Sequence, residues 1–166
     1  MKTKQQIFQF RPMQAFHYLR GIEPVLPVIP SKEAQPAVCQ QCRAVFMNGR
    51  WSWRDIPMNA ESIVCPACHR INEHYPAGYV TFEGPFYSGH SEEVMNLVAK
   101  HCAHEQAMRP LKRIIGLEPS RNGVLITTTD IHLARSIGEL VKRVYQGDLN
   151  FHFNSEENLL RVHWFH

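Results

Sequence analysis

The chain contains two Cys-x-x-Cys pairs, Cys39–Cys42 and Cys65–Cys68, with 22 residues between them. A turn of this spacing can direct two thiolates at one point, and two such turns supply the four sulfurs of a tetrahedral structural zinc site. We therefore predict that Cys39, Cys42, Cys65 and Cys68 bind Zn²⁺ in a zinc ribbon. Four thiolates leave no open coordination position for substrate or water, so the metal is expected to shape a binding surface and the protein not to be an enzyme.

The sequence leaves three other uses of these cysteines open. They can form disulfides in an oxidising compartment, one pair can be a thioredoxin-like redox motif, and an iron–sulfur cluster also accepts four thiolates. The N-terminal residues lack the apolar run of about 7 to 15 residues typical of a signal peptide, and no stretch approaches the ~18 apolar residues of a membrane span. We therefore expect a cytoplasmic protein with no membrane partner, in which thiols stay reduced.

Composition limits the remaining choices. A length of 166 residues fits one domain of ordinary size plus a metal-stabilised module. The formal charge of +3 is too small to hold the protein on nucleic acid by bulk electrostatics. Any binding to nucleic acid must therefore come from local basic patches. Composition and pattern together divide the chain into an extended, proline-rich tail (1–37), the zinc ribbon (38–77) and an α+β domain (78–166). The tail mixes basic and aromatic residues, and its proline-rich second half is expected to act as a semi-rigid spacer.

The segment between the cysteine pairs combines aromatic and basic residues. Asn48-Gly49 predicts a hairpin turn between two short strands. Trp51 and Trp53 alternate along the second strand and are flanked by arginines. One indole is expected to pack against the zinc knuckles, whereas an exposed indole beside arginine would form a surface for stacking bases and binding phosphates.

The C-terminal region has the pattern of a packed α+β domain. A strand over 79–82 precedes a helix that starts at Ser91 and ends before Pro110, and Cys102 lies on the apolar stripe of that helix as a buried residue. Strands over 111–117 and 124–129 then form a hairpin, Thr129 or Asp130 caps a second helix, and a final hairpin covers 149–164. This order predicts a ferredoxin-like α/β sandwich with an extra C-terminal strand. Alternatively, the first strand belongs to the ribbon.

Several segments together support a family resemblance. The chain from about 38 to 166 resembles a bacterial zinc-ribbon family associated with low-oxygen-activated loci, and this family is remotely similar to the zinc region of the eukaryotic and archaeal adaptor for export of the large ribosomal subunit. That adaptor has additional cysteine pairs that are absent here. The segments that carry the resemblance are Gly49–Trp53, Cys65–Cys68 with Arg70, Pro76–Gly78, Glu83–Phe86, Pro110–Ile114 and Thr128–Gly138.

The resemblance implies a non-enzymatic factor that binds the ribosome and its RNA in stress or hibernation, with ribosomal proteins as further candidate partners. Basic side chains would contact phosphates, tryptophans would stack on bases, and the N-terminus of the second helix would receive a phosphate. A zinc-ribbon regulator that binds DNA or a transcription complex is the alternative, because both polymers present phosphates. The candidate RNA-binding residues are Arg50, Trp51, Trp53, Arg54, Lys112, Arg113, Thr129, His132, Arg135, Lys142 and Arg143.

Overall fold

The computed structural model describes residue 30 and residues 35–166, which form an α+β structure with two sheets. The predicted tail lies almost entirely outside the described residues. Within residues 35–166, no helix combines the length and the apolar character needed to cross a bilayer.

The first sheet contains the zinc-ribbon segment. It has four strands of three residues each, in the order β3-β2-β1-β4. Strands β2 and β3 form the predicted hairpin, in which Asn48 and Gly49 take the positive φ values of 53° and 79° that this tight turn requires. The strands are β1 (Ala37–Cys39), β2 (Val45–Met47), β3 (Arg50–Ser52) and β4 (Glu61–Ile63), and a short helix, α1 (Pro66–Asn72), follows.

The second sheet has five strands in the order β6-β7-β5-β9-β8. Strands β5 and β9 are parallel and the other neighbours are antiparallel. Because β5 pairs with β7 and β9, it belongs to this sheet and not to the ribbon. The strands are β5 (Gly78–Glu83), β6 (Ile114–Ser120), β7 (Gly123–Thr128), β8 (Asp148–Asn154) and β9 (Leu159–Phe165), and the helices are α2 (Pro85–Met108) and α3 (Ile131–Tyr145).

The extra C-terminal strand lies inside the sheet. Strand β9 separates β5 from β8, so that β8 forms the edge. The sequence of β9 explains this position, since Leu160, Val162 and Trp164 alternate along the strand and are all buried against the helices. The core between sheet and helices is completed by residues such as Phe82 and Ile137.

The two helices of the α+β domain, α2 and α3, differ in the residues at which they start. Asp130 caps α3 as predicted, because its carboxylate accepts a hydrogen bond of 2.8 Å from the Leu133 N–H. A helical segment begins at Pro85, before the start predicted at Ser91. His90 has non-helical φ and ψ of −129° and 22°, so a second helical segment begins beyond it, next to the predicted position. Proline suits the first turn of a helix, so the segment that ends β5 also starts α2.

Candidate metal centre

The four predicted ligands come together in the ribbon. The Sγ atoms of Cys39, Cys42, Cys65 and Cys68 all lie within 4.8 Å of one another. Zn–S bonds of about 2.3 Å place the sulfurs of a tetrahedral site about 3.8 Å apart. The Sγ atoms of Cys42 and Cys65 are 3.7 Å apart, which fits that spacing and is far beyond the ~2.05 Å of a disulfide bond. The cluster can therefore hold a metal ion, and its donor set is the one preferred by structural zinc.

Local backbone geometry positions both knuckles. In the first, the Arg43 N–H donates to the Cys39 carbonyl, and Arg43 takes a φ of 69° that turns the chain back on itself. In the second, Cys65 precedes α1, Pro66 occupies the first turn, and the Cys68 N–H donates to the Cys65 sulfur over 3.4 Å. The Cys65 N–H donates to the Cys39 sulfur over 3.3 Å, which links the two knuckles. Such N–H···S bonds stabilise sulfur in its charged form.

The thiols of Cys39, Cys65 and Cys68 differ in how easily they lose a proton. Burial by itself would raise the pKa of Cys39, but hydrogen bonds from the backbone N–H groups of Cys42, Cys65 and Gln41 outweigh it and lower the pKa to about 6. Burial raises the pKa of Cys65, and the neighbouring thiolates add to the effect. Burial also raises the pKa of Cys68, although Arg113 acts in the opposite direction. Metal binding must therefore displace protons from Cys65 and Cys68 at neutral pH.

A cation from the α+β domain lies against this cluster. The Arg113 Nη1 atom donates to the Cys68 sulfur over 3.3 Å. Burial would lower the pKa of Arg113, but its interactions with Cys42 and Cys68 prevail and raise it. Four thiolates around Zn²⁺ carry a net charge of −2, which a guanidinium beside them partly offsets. The sequence predicts that Arg113 binds RNA, but its guanidinium lies where its charge can stabilise the metal centre.

The loop that carries Arg113 is fixed from several directions. The Thr129 hydroxyl donates to the Leu111 carbonyl over 2.6 Å and accepts the Arg113 N–H over 2.9 Å. The Arg113 Nε atom donates to the Pro110 carbonyl, and Leu111 packs against the cysteine cluster. The nearby Lys112 is 8% exposed and forms an ion pair with Glu105. Thus the loop over 109–113 joins the metal centre to the α+β domain.

These contacts correct part of the predicted RNA-binding set. Lys112 and Thr129 are buried and already have partners, and the Arg113 guanidinium faces sulfur, so the structure does not place these three side chains for phosphate contact. No local pattern could reveal this, because Arg113 and Cys68 are 45 positions apart. Solvent does reach the other basic members of the set, which are Arg50, Arg54, His132, Arg135, Lys142 and Arg143.

The two tryptophans have different surroundings. Trp51 is half-buried, packs against the cysteine cluster and lies 5.6 Å from Phe46 between ring centroids. Trp53 follows the end of β3 and is 40% exposed, but its indole N–H donates to the Gln106 carbonyl in the last turn of α2 over 2.8 Å. The indole of Trp51 is thus the one that packs on the knuckles, and Trp53 connects the ribbon to α2 while leaving part of its ring exposed.

Comparison with protein-family models, with curated proteins and with solved structures finds no match. The metal centre and the exposed surfaces therefore provide the structural basis for a functional proposal.

Proposed function

We propose that the protein is a non-enzymatic, zinc-containing, cytoplasmic factor that associates with the ribosome and binds ribosomal RNA during stress or hibernation. The observation that carries this proposal is the closed cluster of four cysteines, which Arg113 connects to the α+β domain. A metal with four protein ligands has no position for a substrate, and its effect is to keep the surrounding surface rigid. A rigid surface with exposed cations suits a large, highly charged partner of fixed shape.

The exposed basic residues lie on two parts of that surface. Arg50 and Arg54 belong to the ribbon, and both side chains are exposed. His132, Lys142 and Arg143 are exposed along α3. Ribosomal RNA presents phosphates that such side chains can contact without reading sequence, and contacts of this kind release counterions. The resemblance to the low-oxygen-associated family is what directs the proposal to the ribosome.

Co-sedimentation tests the association. Lysate from oxygen-limited cells is fractionated on a gradient at low salt, and the protein is expected in fractions that contain ribosomal subunits. Confinement of the protein to the light fractions at low salt would contradict the proposal. The double substitution Arg50→Ala and Arg54→Ala is expected to weaken RNA binding and to lower the salt dependence by about 1 per arginine. Arg121→Ala is the matched control, because Arg121 is exposed in the β6–β7 turn and outside the predicted set.

Competition separates RNA from DNA as the partner. Unlabelled ribosomal RNA should displace the bound protein at lower concentration than duplex DNA of equal length. Equal or better displacement by duplex DNA would favour the alternative function, a zinc-ribbon regulator that binds DNA or a transcription complex.

A further inference from the structure

One face of the five-stranded sheet is not used by the core. Val80 and Phe82 on β5 point toward α2 and α3, whereas Tyr79 and Thr81, which alternate with them, point to the opposite face. The side chain of Arg161 on β9 is exposed on this opposite face, and those of Tyr79 and Thr81 are half-buried. None of the residues predicted from sequence to bind RNA lies on this face, so it is a separate surface.

Strand register places the side chains of this face in two rows, because cross-strand partners point to the same side of a sheet. Adjacent strands are about 4.8 Å apart, so a row across four strands is about 14 Å long. The first row is Thr127, Tyr79, Arg161 and His152, and the second is Leu125, Thr81, His163 and Asn150. A depression of about 340 Å³ is lined by all of these residues except Thr127, together with Phe151 and Val162.

Most side chains in the two rows are polar. The Arg161 guanidinium lies 5.6 Å from the centroid of the Tyr79 ring, so a cation and an aromatic ring are adjacent on the two central strands. The rows add two imidazoles, hydroxyls and an amide. No acidic residue lines the depression itself, but Glu118 on β6 extends the second row and Asp148 on β8 lies in the next row of the same face. Glu83 contacts His163 over 3.2 Å from the next row. Leu125 is the one aliphatic side chain in the two rows, and Phe151 and Val162 also line the depression.

We propose that this open sheet face binds a short segment of single-stranded RNA. The Tyr79 ring provides a surface on which a base can stack, and Arg161 provides charge for the adjoining phosphate. Hydroxyl, amide and imidazole groups provide partners for base edges and for the ribose 2′-OH, which distinguishes RNA from DNA. Four-stranded sheets with aromatic residues on central strands hold about two or three bases in this way.

This inference rests on the proposed RNA-binding function and makes it more specific. The exposed arginines of the ribbon would contact phosphates of folded RNA, and the sheet face would hold an unpaired segment. The two surfaces carry different residues, so one can fail while the other remains.

Fluorescence anisotropy on the full, zinc-loaded chain tests the sheet face. The probe is an unstructured RNA of about ten nucleotides, within the range that one single-strand-binding fold covers. Tyr79→Leu, which removes the ring, should weaken binding by about 5-fold to 150-fold, the equivalent of one lost base stack. Tyr79→Phe keeps the ring and should bind as the original chain does. Arg161→Gln should lower the salt dependence by about 0.7, the value for one phosphate of a single strand.

Several outcomes would overturn the inference. It fails if the unaltered chain does not bind the RNA, if Tyr79→Leu binds as tightly as Tyr79→Phe, or if DNA of the same sequence binds equally well. A concentration-dependent dimer that the Tyr79→Leu change disrupts would instead assign the face to a second copy of the chain. Ribosome co-sedimentation that persists in the Tyr79→Leu variant but is lost in the Arg50/Arg54 double variant would show that the broader proposal survives without the sheet face.

Discussion

The ribbon and the α+β domain are held together by different means. The ribbon strands contain three residues each, and the cysteine cluster buries Cys39, Cys65 and Cys68 with Ala67. In the α+β domain, by contrast, strands of six or seven residues and two long helices enclose a core that includes Phe82 and Trp164. A small module with little apolar core generally needs a metal or crosslinks, whereas a domain with a continuous core does not. We therefore expect a bound metal to stabilise the ribbon directly and to affect the α+β domain through the loop over 109–113.

Removal of the metal should have the largest effect and should separate the two regions. Because structural zinc contributes roughly 10 to 16 kcal/mol to the folding of small zinc modules, a chelator or Cys65→Ser should unfold the ribbon. The helices of the α+β domain should persist. Circular dichroism should retain the helical signal while the fluorescence of Trp51 and Trp53 shifts to the red. Cys102→Ala is the matched control, since Cys102 is buried on α2 away from the cluster.

The opposite results are equally informative. A chain that unfolds in one step on chelation would show that the two regions depend on each other more strongly than their separate cores suggest. Thiols that react with an alkylating agent at the same rate with and without zinc would contradict a closed site, and they would revive a redox role for Cys65 and Cys68.

The pH dependence of metal binding follows from the same thiols. The raised pKa values of Cys65 and Cys68 mean that both are protonated in the metal-free protein at neutral pH. Zinc must release those protons, so its apparent affinity should fall as the pH falls, by about tenfold per pH unit for each proton released. Titration calorimetry in two buffers of different ionisation enthalpy measures the number of protons. Release of no protons at pH 7 would contradict the burial of these two thiols.

Substitution of Arg113 tests the connection between the regions. Arg113→Met removes the charge beside the cluster and should weaken zinc binding by about 10-fold to 100-fold, the usual effect of losing a partner of a metal ligand. Arg109→Met is the matched control, because Arg109 lies in the same loop and is exposed. Competition with a chromophoric chelator measures both affinities. Equal zinc affinities in the two variants would mean that Arg113 contacts the cluster without stabilising it.

Local sequence was sufficient where a feature depends on neighbouring residues. Spacing predicted that the four cysteines form a cluster able to hold a metal ion, Asn48-Gly49 predicted the β2–β3 turn, and Thr129-Asp130 predicted the start of α3. The turn, the helix cap and each Cys-x-x-Cys pair depend on a few adjacent positions whose side-chain or backbone chemistry is distinctive, and the metal preference for four thiolates predicts that the two pairs meet.

Features that depend on distant residues could not be predicted in this way. The contact between Arg113 and Cys68 and the ion pair of Lys112 arise only when the loop over 109–113 folds against other elements. An exposed arginine that binds phosphate and a half-buried one that binds sulfur look alike in a sequence. The position of β9 between β5 and β8 also depends on tertiary packing, since alternation predicts a strand but not its partners.

Loss of the ion pair between Glu105 and Lys112 should have a smaller effect, which is confined to the stability of the α+β domain. The hydrogen bond from Lys112 lowers the pKa of Glu105, so the folded state favours the ionised carboxylate. The pair therefore stabilises the protein above the unfolded pKa of about 4.3, and this contribution is lost as the pH falls through the lower, folded pKa. Glu105→Gln should lower the free energy of unfolding by about 1 to 2 kcal/mol at pH 7, because the pair is only partly shielded from water.

Chemical denaturation at pH 7 and at low pH measures that difference. It should shrink under acid, when Glu105 itself becomes protonated. Glu93→Gln is the control on the same helix, since Glu93 is exposed. A difference that is independent of pH would indicate a packing role for Glu105 and not an electrostatic one.

The smallest expected effect comes from the indole of Trp53, which joins the ribbon to the last turn of α2. Trp53→Phe removes the N–H that bonds the Gln106 carbonyl, one of the carbonyls that a helix C-terminus leaves without an intrahelical partner. Loss of one such bond at a partly exposed position should cost about 0.5 to 1.5 kcal/mol in the free energy of unfolding. Trp51→Phe removes an indole N–H that is buried and has no hydrogen-bond partner among the described residues, so any destabilisation there reflects packing against the cysteines.

If Trp53 acts only as a connection, its variant should lower stability without changing zinc affinity, whereas the Trp51 variant should reduce zinc affinity. Reduced zinc affinity in the Trp53 variant would show that the position of α2 also determines the geometry of the metal centre.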